Sequence, residues 1–135
     1  MTGWHSQLLR ALLALAAITF VSCDLVRSED PQVARGRVLF RELGCVSCHR
    51  TDPAATIPTI GPSLWQLAGR VERFADGTSA TVDEAYLRES MTDPDARTVA
   101  GFERGLMTAG LGAGRERLLD RAVVDALVRY VMSLK

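Results

Sequence analysis

Gly44-Cys45-Val46-Ser47-Cys48-His49 places two thiols three positions apart and an imidazole directly after the second. Cys-x-x-Cys-His is the attachment pattern of a c-type haem. The two thiols add across the two vinyl groups of the porphyrin, and this spacing brings them within one turn of chain. The neighbouring imidazole, a good iron ligand when neutral, then lies under the iron. Two other chemistries share the Cys-x-x-Cys core. A thioredoxin-like redox pair needs a strand before it and a longer helix after it; half of a zinc site needs two further ligands. Here a helical pattern precedes the motif and the proline-containing loop 51–62 follows it. The only other histidine is His5, in the leader. The residues favour one covalent haem c held by Cys45, Cys48 and His49.

Outward from the motif, the chain reads as helices joined by turn-rich loops, with no strong period-two pattern that would specify strands. Asp30-Pro31 supplies an N-cap and a first-turn proline for a helix through Val33, Arg37, Phe40 and Leu43 that ends at Gly44. It delivers the haem motif at its C-terminal end. Thr81-Val82-Asp83-Glu84 reads as a capping box opening a helix with Leu87 and Met91, stopped by Asp93-Pro94. The last helix is capped by Asp120, and Val124, Leu127, Val128 and Val131 recur on one face. A short helical turn is expected over 63–68, with Trp65 packed on the haem edge.

The sixth position on the iron falls to Met107 or Met91. Met1 lies in the leader and Met132 in the last helix. Met107 sits in a glycine-rich loop that can bring a side chain over a flat ring, whereas Met91 follows Leu87 by four residues, the spacing of a packing residue. Met107 is favoured, and its soft sulfur would hold the potential above that of a bis-histidine centre.

The N-terminal segment differs in kind. Arg10 precedes the apolar run 11–21, which ends in Ser22-Cys23, an export signal in form. The run is shorter than the roughly 20 residues that cross a bilayer, so cleavage is expected and not permanent insertion. Phe20-Val21-Ser22-Cys23 resembles a bacterial lipobox, with phenylalanine where leucine is usual; the other reading is an incidental thiol beside an ordinary cleavage site. Lipidation of Cys23 would anchor the domain at a membrane without spanning it. The expected organisation is a signal peptide of lipoprotein type at 1–22, a linker at 23–30 and a haem domain at 31–135.

Charge narrows the partners. The 16 Lys and Arg balance 16 Asp and Glu, without the basic excess that binds phosphate backbones, so nucleic acid is not an expected partner. Loss of residues 1–22 removes only Arg10, leaving 15 basic and 16 acidic side chains and a net charge of −1. Lys135 is the single lysine, so no lysine ring marks a docking face.

Taken together, Gly44 to His49, Gly61-Pro62-Ser63-Leu64 with Gly69-Arg70, the stretch 82–90, Asp93-Pro94, Gly101-Phe102, Met107 and Leu127-Val128-Arg129-Tyr130 resemble the class I cytochrome c family. More narrowly, they resemble the haem domain fused to some bacterial cytochrome oxidase second subunits. The resemblance covers nearly all of 31–135. It implies an all-α fold of three main helices and short turns around one haem. It also implies His49 as proximal ligand with its other ring nitrogen held by the Pro62 carbonyl, Met107 as distal ligand, and Arg70 near a haem propionate. Gly36 and Phe40 would cross the last helix near Leu127 and Tyr130. Thr108-Ala109 departs from the two prolines usual in the family, which leaves the stiffness of that loop open.

The expectation is outer-sphere electron transfer between redox partner proteins at the periplasmic side of a bacterial membrane, with no catalysis by this chain. Two rivals stand beside it: a haem sensor or enzyme with an open distal position, and a haem subunit of a dehydrogenase or oxidase complex.

Overall fold

A computed structural model describes residues 29–54 and 60–135. The expected signal peptide and Cys23 lie outside the described residues.

The chain runs through α1 (Pro31–Glu42), a 3₁₀ turn (Cys45–Ser47), strands β1 (Val71–Arg73) and β2 (Ser79–Thr81), α2 (Glu84–Thr92), α3 (Leu106–Leu111), a 3₁₀ segment (Gly112–Leu119) and α4 (Arg121–Met132). The first helix begins as the sequence suggests: Pro31 occupies its first turn and the Asp30 carboxylate accepts the Gln32 N–H. Such a cap satisfies one of the amides that an isolated helix start leaves unpaired. Asp120 does the same for α4 by accepting the Ala122 N–H.

The packing of α1 across α4 forms the frame. Gly36, Leu39 and Phe40 are buried on one side and Ala126, Leu127 and Tyr130 on the other. A Cβ on Gly36 would lie 2.0 Å from the Ala126 carbonyl oxygen, so the crossing depends on that residue having no side chain. Phe40 meets Tyr130 edge to face at 5.4 Å between ring centroids, the arrangement that the ring quadrupoles favour.

Three local expectations need correction. The helix after the hairpin is capped by Asp83, which accepts the Tyr86 N–H, and not by Thr81. Thr81 is instead used in β2, paired with Val71. The hairpin itself was not expected. Its three-residue loop, Ala75 to Gly77, ends on Gly77 at φ +85°, and Asp76 accepts from both the backbone and the hydroxyl of Thr78. A type I turn closed by a left-handed glycine is a common short hairpin connection. No helical turn forms over 63–68. The Leu64 N–H is committed to the Arg50 carbonyl, and Gln66 takes φ +49°, outside the helical region.

The hairpin is docked by Phe74, which stacks on Tyr86 of α2 at 5.9 Å. Ala75 N–H to Thr98 carbonyl and Ala100 N–H to Arg73 carbonyl join it to the segment after α2. Val82, 1% exposed, closes this side of the core. Among the described residues no helix is long and apolar enough to cross a membrane.

Candidate haem-binding site

Left-handed Gly44, at φ +74°, ends α1 and turns the chain into the Cys45–Ser47 3₁₀ turn, where the His49 N–H bonds the Cys45 carbonyl at 3.0 Å. Cys45, Cys48 and His49 therefore sit on one compact turn at the end of a helix fixed by its packing on α4. A second segment is stapled against it. The Gly61 N–H bonds the Cys48 carbonyl and the Leu64 N–H bonds the Arg50 carbonyl, which brings the Pro62 carbonyl to 2.8 Å from His49 Nδ1. Since that oxygen can only accept, Nδ1 carries the proton, and the Nε2 lone pair is left as the donor to a metal. Gly61 permits this approach: a Cβ there would lie 2.6 Å from His49 Cε1.

Burial lowers the pKa of the His49 imidazole below its ordinary value, with the bond to Pro62 partly opposing it. The ring is thus held in the neutral form that a metal ligand requires. Burial pushes the Cys45 thiol up, partly offset by a backbone hydrogen bond, and nearby Cys48 raises it further. A thioredoxin-type nucleophile needs the opposite shift. A helix, not a strand, also precedes the motif. Among the described residues no set of three or more His, Cys, Asp or Glu side chains converges as a metal-binding group, so the zinc reading lacks its remaining ligands.

Cys45, Cys48 and His49 line one open cleft of about 1350 Å³, its mouth included. Its walls are largely apolar, with Leu64, Leu67, Leu87, Phe102, Leu127 and Val131 among them. Such a cavity fits a flat, mainly hydrophobic macrocycle. Two thiols on one edge and a neutral imidazole with an open lone pair fit the covalent and axial bonds of haem c.

Met107 and Met91 both line this cleft. Met107 is not in an open loop but in the first turn of α3, which starts on left-handed Gly105. Met91 also packs against the hydrophobic core. Pro62 lines the cleft as well. The other two expected residues are neighbours of cleft-lining residues, Arg70 of Glu72 and Trp65 of Leu64, without lining it themselves. Arg70 is exposed, with Nε bonded to Glu72 and Nη2 to the Ser63 carbonyl. Trp65 is half-buried on the turn after Leu64. Neither is among the cleft-lining residues.

Among the polar residues lining the cleft that the sequence reading missed, two are held by partners on other elements. Arg97 is paired with Glu89 and its guanidinium lies 5.2 Å from the ring centroids of both Phe74 and Tyr86. Asp95 faces α3. No local motif marks either one, because their partners come from other elements.

A family model for cytochrome c matches residues 33–135 of the chain. No curated protein matches it.

Proposed function

The chain belongs to the cytochrome c family, and on that premise we propose that it is a single-haem carrier of electrons in a bacterial respiratory chain. Its fold is the all-α class I cytochrome c fold, and its cofactor is covalent haem c. The observation that carries the reading is the His49 Nδ1 to Pro62 carbonyl bond of 2.8 Å, on a turn whose two thiols line the same apolar cleft. When bound, the haem iron supplies a reversible one-electron couple.

The protein's own residues set its conditions. Cys45 and Cys48 would hold the macrocycle by thioether bonds, Pro62 orients His49 so that Nε2 is free to bind the iron, and Met107, which lines the same cleft, would supply the second ligand. A haem iron ligated by both His49 and Met107 would leave no site for a substrate on the metal, so the chemistry it would supply is outer-sphere electron transfer and no catalysis by this chain alone. The apolar walls would exclude water from a bound haem and so favour its less charged, reduced state.

The N-terminal segment supports the proposed setting: export across the inner membrane, lipidation of Cys23, and exchange of electrons with partner proteins at the membrane surface. A Cys23→Ser variant that stays in the membrane fraction would remove the lipid anchor from this reading.

The deciding experiment is a reduced-minus-oxidised visible spectrum of protein matured with a haem-attachment system, for wild type and Met107→Ala. The carrier reading expects low-spin bands and a weak sulfur-to-iron band at the red edge, lost in the variant. A high-spin wild type that binds carbon monoxide would replace the carrier with a sensor or enzyme.

A further inference from the structure

The helix carrying Met107 is too short to hold itself. Six residues, Leu106–Leu111, make fewer than two turns, and isolated helices below about 12 residues are marginal in water. It begins on Gly105 at φ +84°, with no capping side chain of its own, and ends on Gly112 at φ +47°. Position 108, where a proline would stiffen the chain, is threonine. Something outside the segment must therefore fix where the methionine sulfur goes.

We propose that Asp95 is the residue that positions Met107, by clamping the chain on both sides of it, through a backbone N–H before it and a side-chain hydroxyl after it. Asp95 Oδ1 accepts the Gly105 N–H at 3.0 Å and Oδ2 accepts the Thr108 hydroxyl at 2.8 Å. One carboxylate thus bridges the residue two before the methionine and the residue directly after it. The bridge restores by hydrogen bonding the stiffness that a proline would have given, and it explains why a threonine is useful at position 108.

A clamp needs a rigid mount, and Asp95 has one. It stands in the turn that ends α2, where the Ala96 N–H bonds the Asp93 carbonyl and Pro94 presets the backbone. Two residues on, Arg97 is tied to Glu89 of α2 and lies over the rings of Phe74 and Tyr86. The segment carrying the carboxylate is held to α2 at one end and to the docked hairpin at the other. Its position is transmitted to Met107 through two charge-assisted bonds, a class stronger than neutral ones.

The inference rests on Met107 being the distal ligand, and the test separates failure of the one from failure of the other. The haem-loaded protein is compared with Asp95→Ala, Asp95→Asn, Thr108→Val and Thr108→Ser by three readouts: the sulfur-to-iron band of the oxidised form, the affinity for imidazole as a competitor of the methionine, and amide hydrogen exchange at Gly105. Asp95→Ala should weaken the band, speed exchange at Gly105 and raise imidazole affinity by about tenfold or more, the order of one lost charge-assisted bond. Thr108→Val should move each readout part of the way. Thr108→Ser should stay near wild type, and Asp95→Asn should fall between wild type and Asp95→Ala, because it keeps both partners but loses the charge. The asparagine carbonyl can still accept from Gly105, its amide can donate to the threonine oxygen, and serine keeps the hydroxyl. If Asp95→Ala keeps its band and its imidazole affinity within about twofold of wild type, Asp95 does not position the ligand. Should Asp95→Ala fail to fold, Thr108→Val carries the test alone, and an unchanged imidazole affinity there overturns the clamp. A wild type without the band, or one whose band survives Met107→Ala, removes the ligand assignment and the clamp with it.

Discussion

Gly36 is the position where one added methyl group should cost most. In an exposed helix interior, Gly→Ala stabilises by about 1 kcal/mol, because the backbone loses less freedom on folding. At Gly36 the new Cβ would stand 2.0 Å from the Ala126 carbonyl oxygen, 2.7 Å from the Ala126 carbonyl carbon and 2.7 Å from Tyr130 Cβ. Two of these three are backbone atoms in the middle of α4, so no rotamer change relieves them. Restoring contact distance means moving the helices apart by about 1 Å or more, which also unseats Phe40 from Tyr130. Overpacking of this kind costs roughly 1–3 kcal/mol and sometimes more, and an unyielding backbone places it at the upper end. After the propensity gain is subtracted, Gly36→Ala should destabilise by about 2 kcal/mol. For a domain of this size that is a fall of roughly 8–16 °C in Tm, read by thermal unfolding of the haem-loaded protein in far-ultraviolet circular dichroism. Gly114→Ala is the control, since a Cβ there meets only Leu43 Cδ2, at an ordinary contact of 3.5 Å, and the residue is not among those lining the cleft. If the two variants melt together, the close approach of α1 to α4 is not what holds the frame.

Three further outcomes follow from the same geometry. Gly61→Ala should displace the His49 ring, because its Cβ would lie 2.6 Å from Cε1 and 2.9 Å from Nδ1; the expected sign is a partial shift from low-spin to high-spin absorption, and an unshifted spectrum would show that the ring can yield without leaving the iron. Asp30→Ala and Asp120→Ala each remove an N-cap bond at 2.8 Å and should each cost about 1 kcal/mol in urea unfolding, additively, since they cap different helices. The double variant Cys45→Ala with Cys48→Ala should release all of its haem into acidified acetone, while each single variant retains it through the remaining thioether. Haem retained by the double variant would mean that another residue forms a covalent bond.

The parts of this protein that were legible in its sequence are those whose geometry is set within a few residues. Two thiols and an imidazole over Cys45 to His49 have little freedom in how they can be arranged. The capped, one-sided pattern of α4 likewise leaves one face to bury. The hairpin escaped notice because its strands are three residues each and expose two of every three, which leaves almost no alternation to detect. Its one local signal was Asp76-Gly77, a hairpin turn pair. The cap of α2 was misplaced for a related reason. Thr81 satisfies the capping pattern as well as Asp83 does, and only the pairing of Thr81 with Val71 decides between them.

The same distinction divides the site. Donor atoms can be named from the sequence, but what orients them comes from distant chain. His49 depends on a carbonyl 13 residues away, and the segment around Met107 is tied to a carboxylate 10 and 13 residues away from its bonding partners. Arg70, expected beside the cofactor from its place in a motif, is bonded to Glu72, which lines the cleft, and to the Ser63 carbonyl, while Arg97, which no motif marks, lines the cleft itself, held by Glu89 and two aromatic rings. Thr108 shows the consequence most directly. Read along the chain, it is a lost proline and a looser loop. Once α2 ends in the Pro94 turn with Asp95 bonded to the Gly105 N–H and the Thr108 hydroxyl, the same residue supplies one of the two bonds that tie the segment down, so the departure at position 108 and the Asp95 carboxylate have to be judged as a pair.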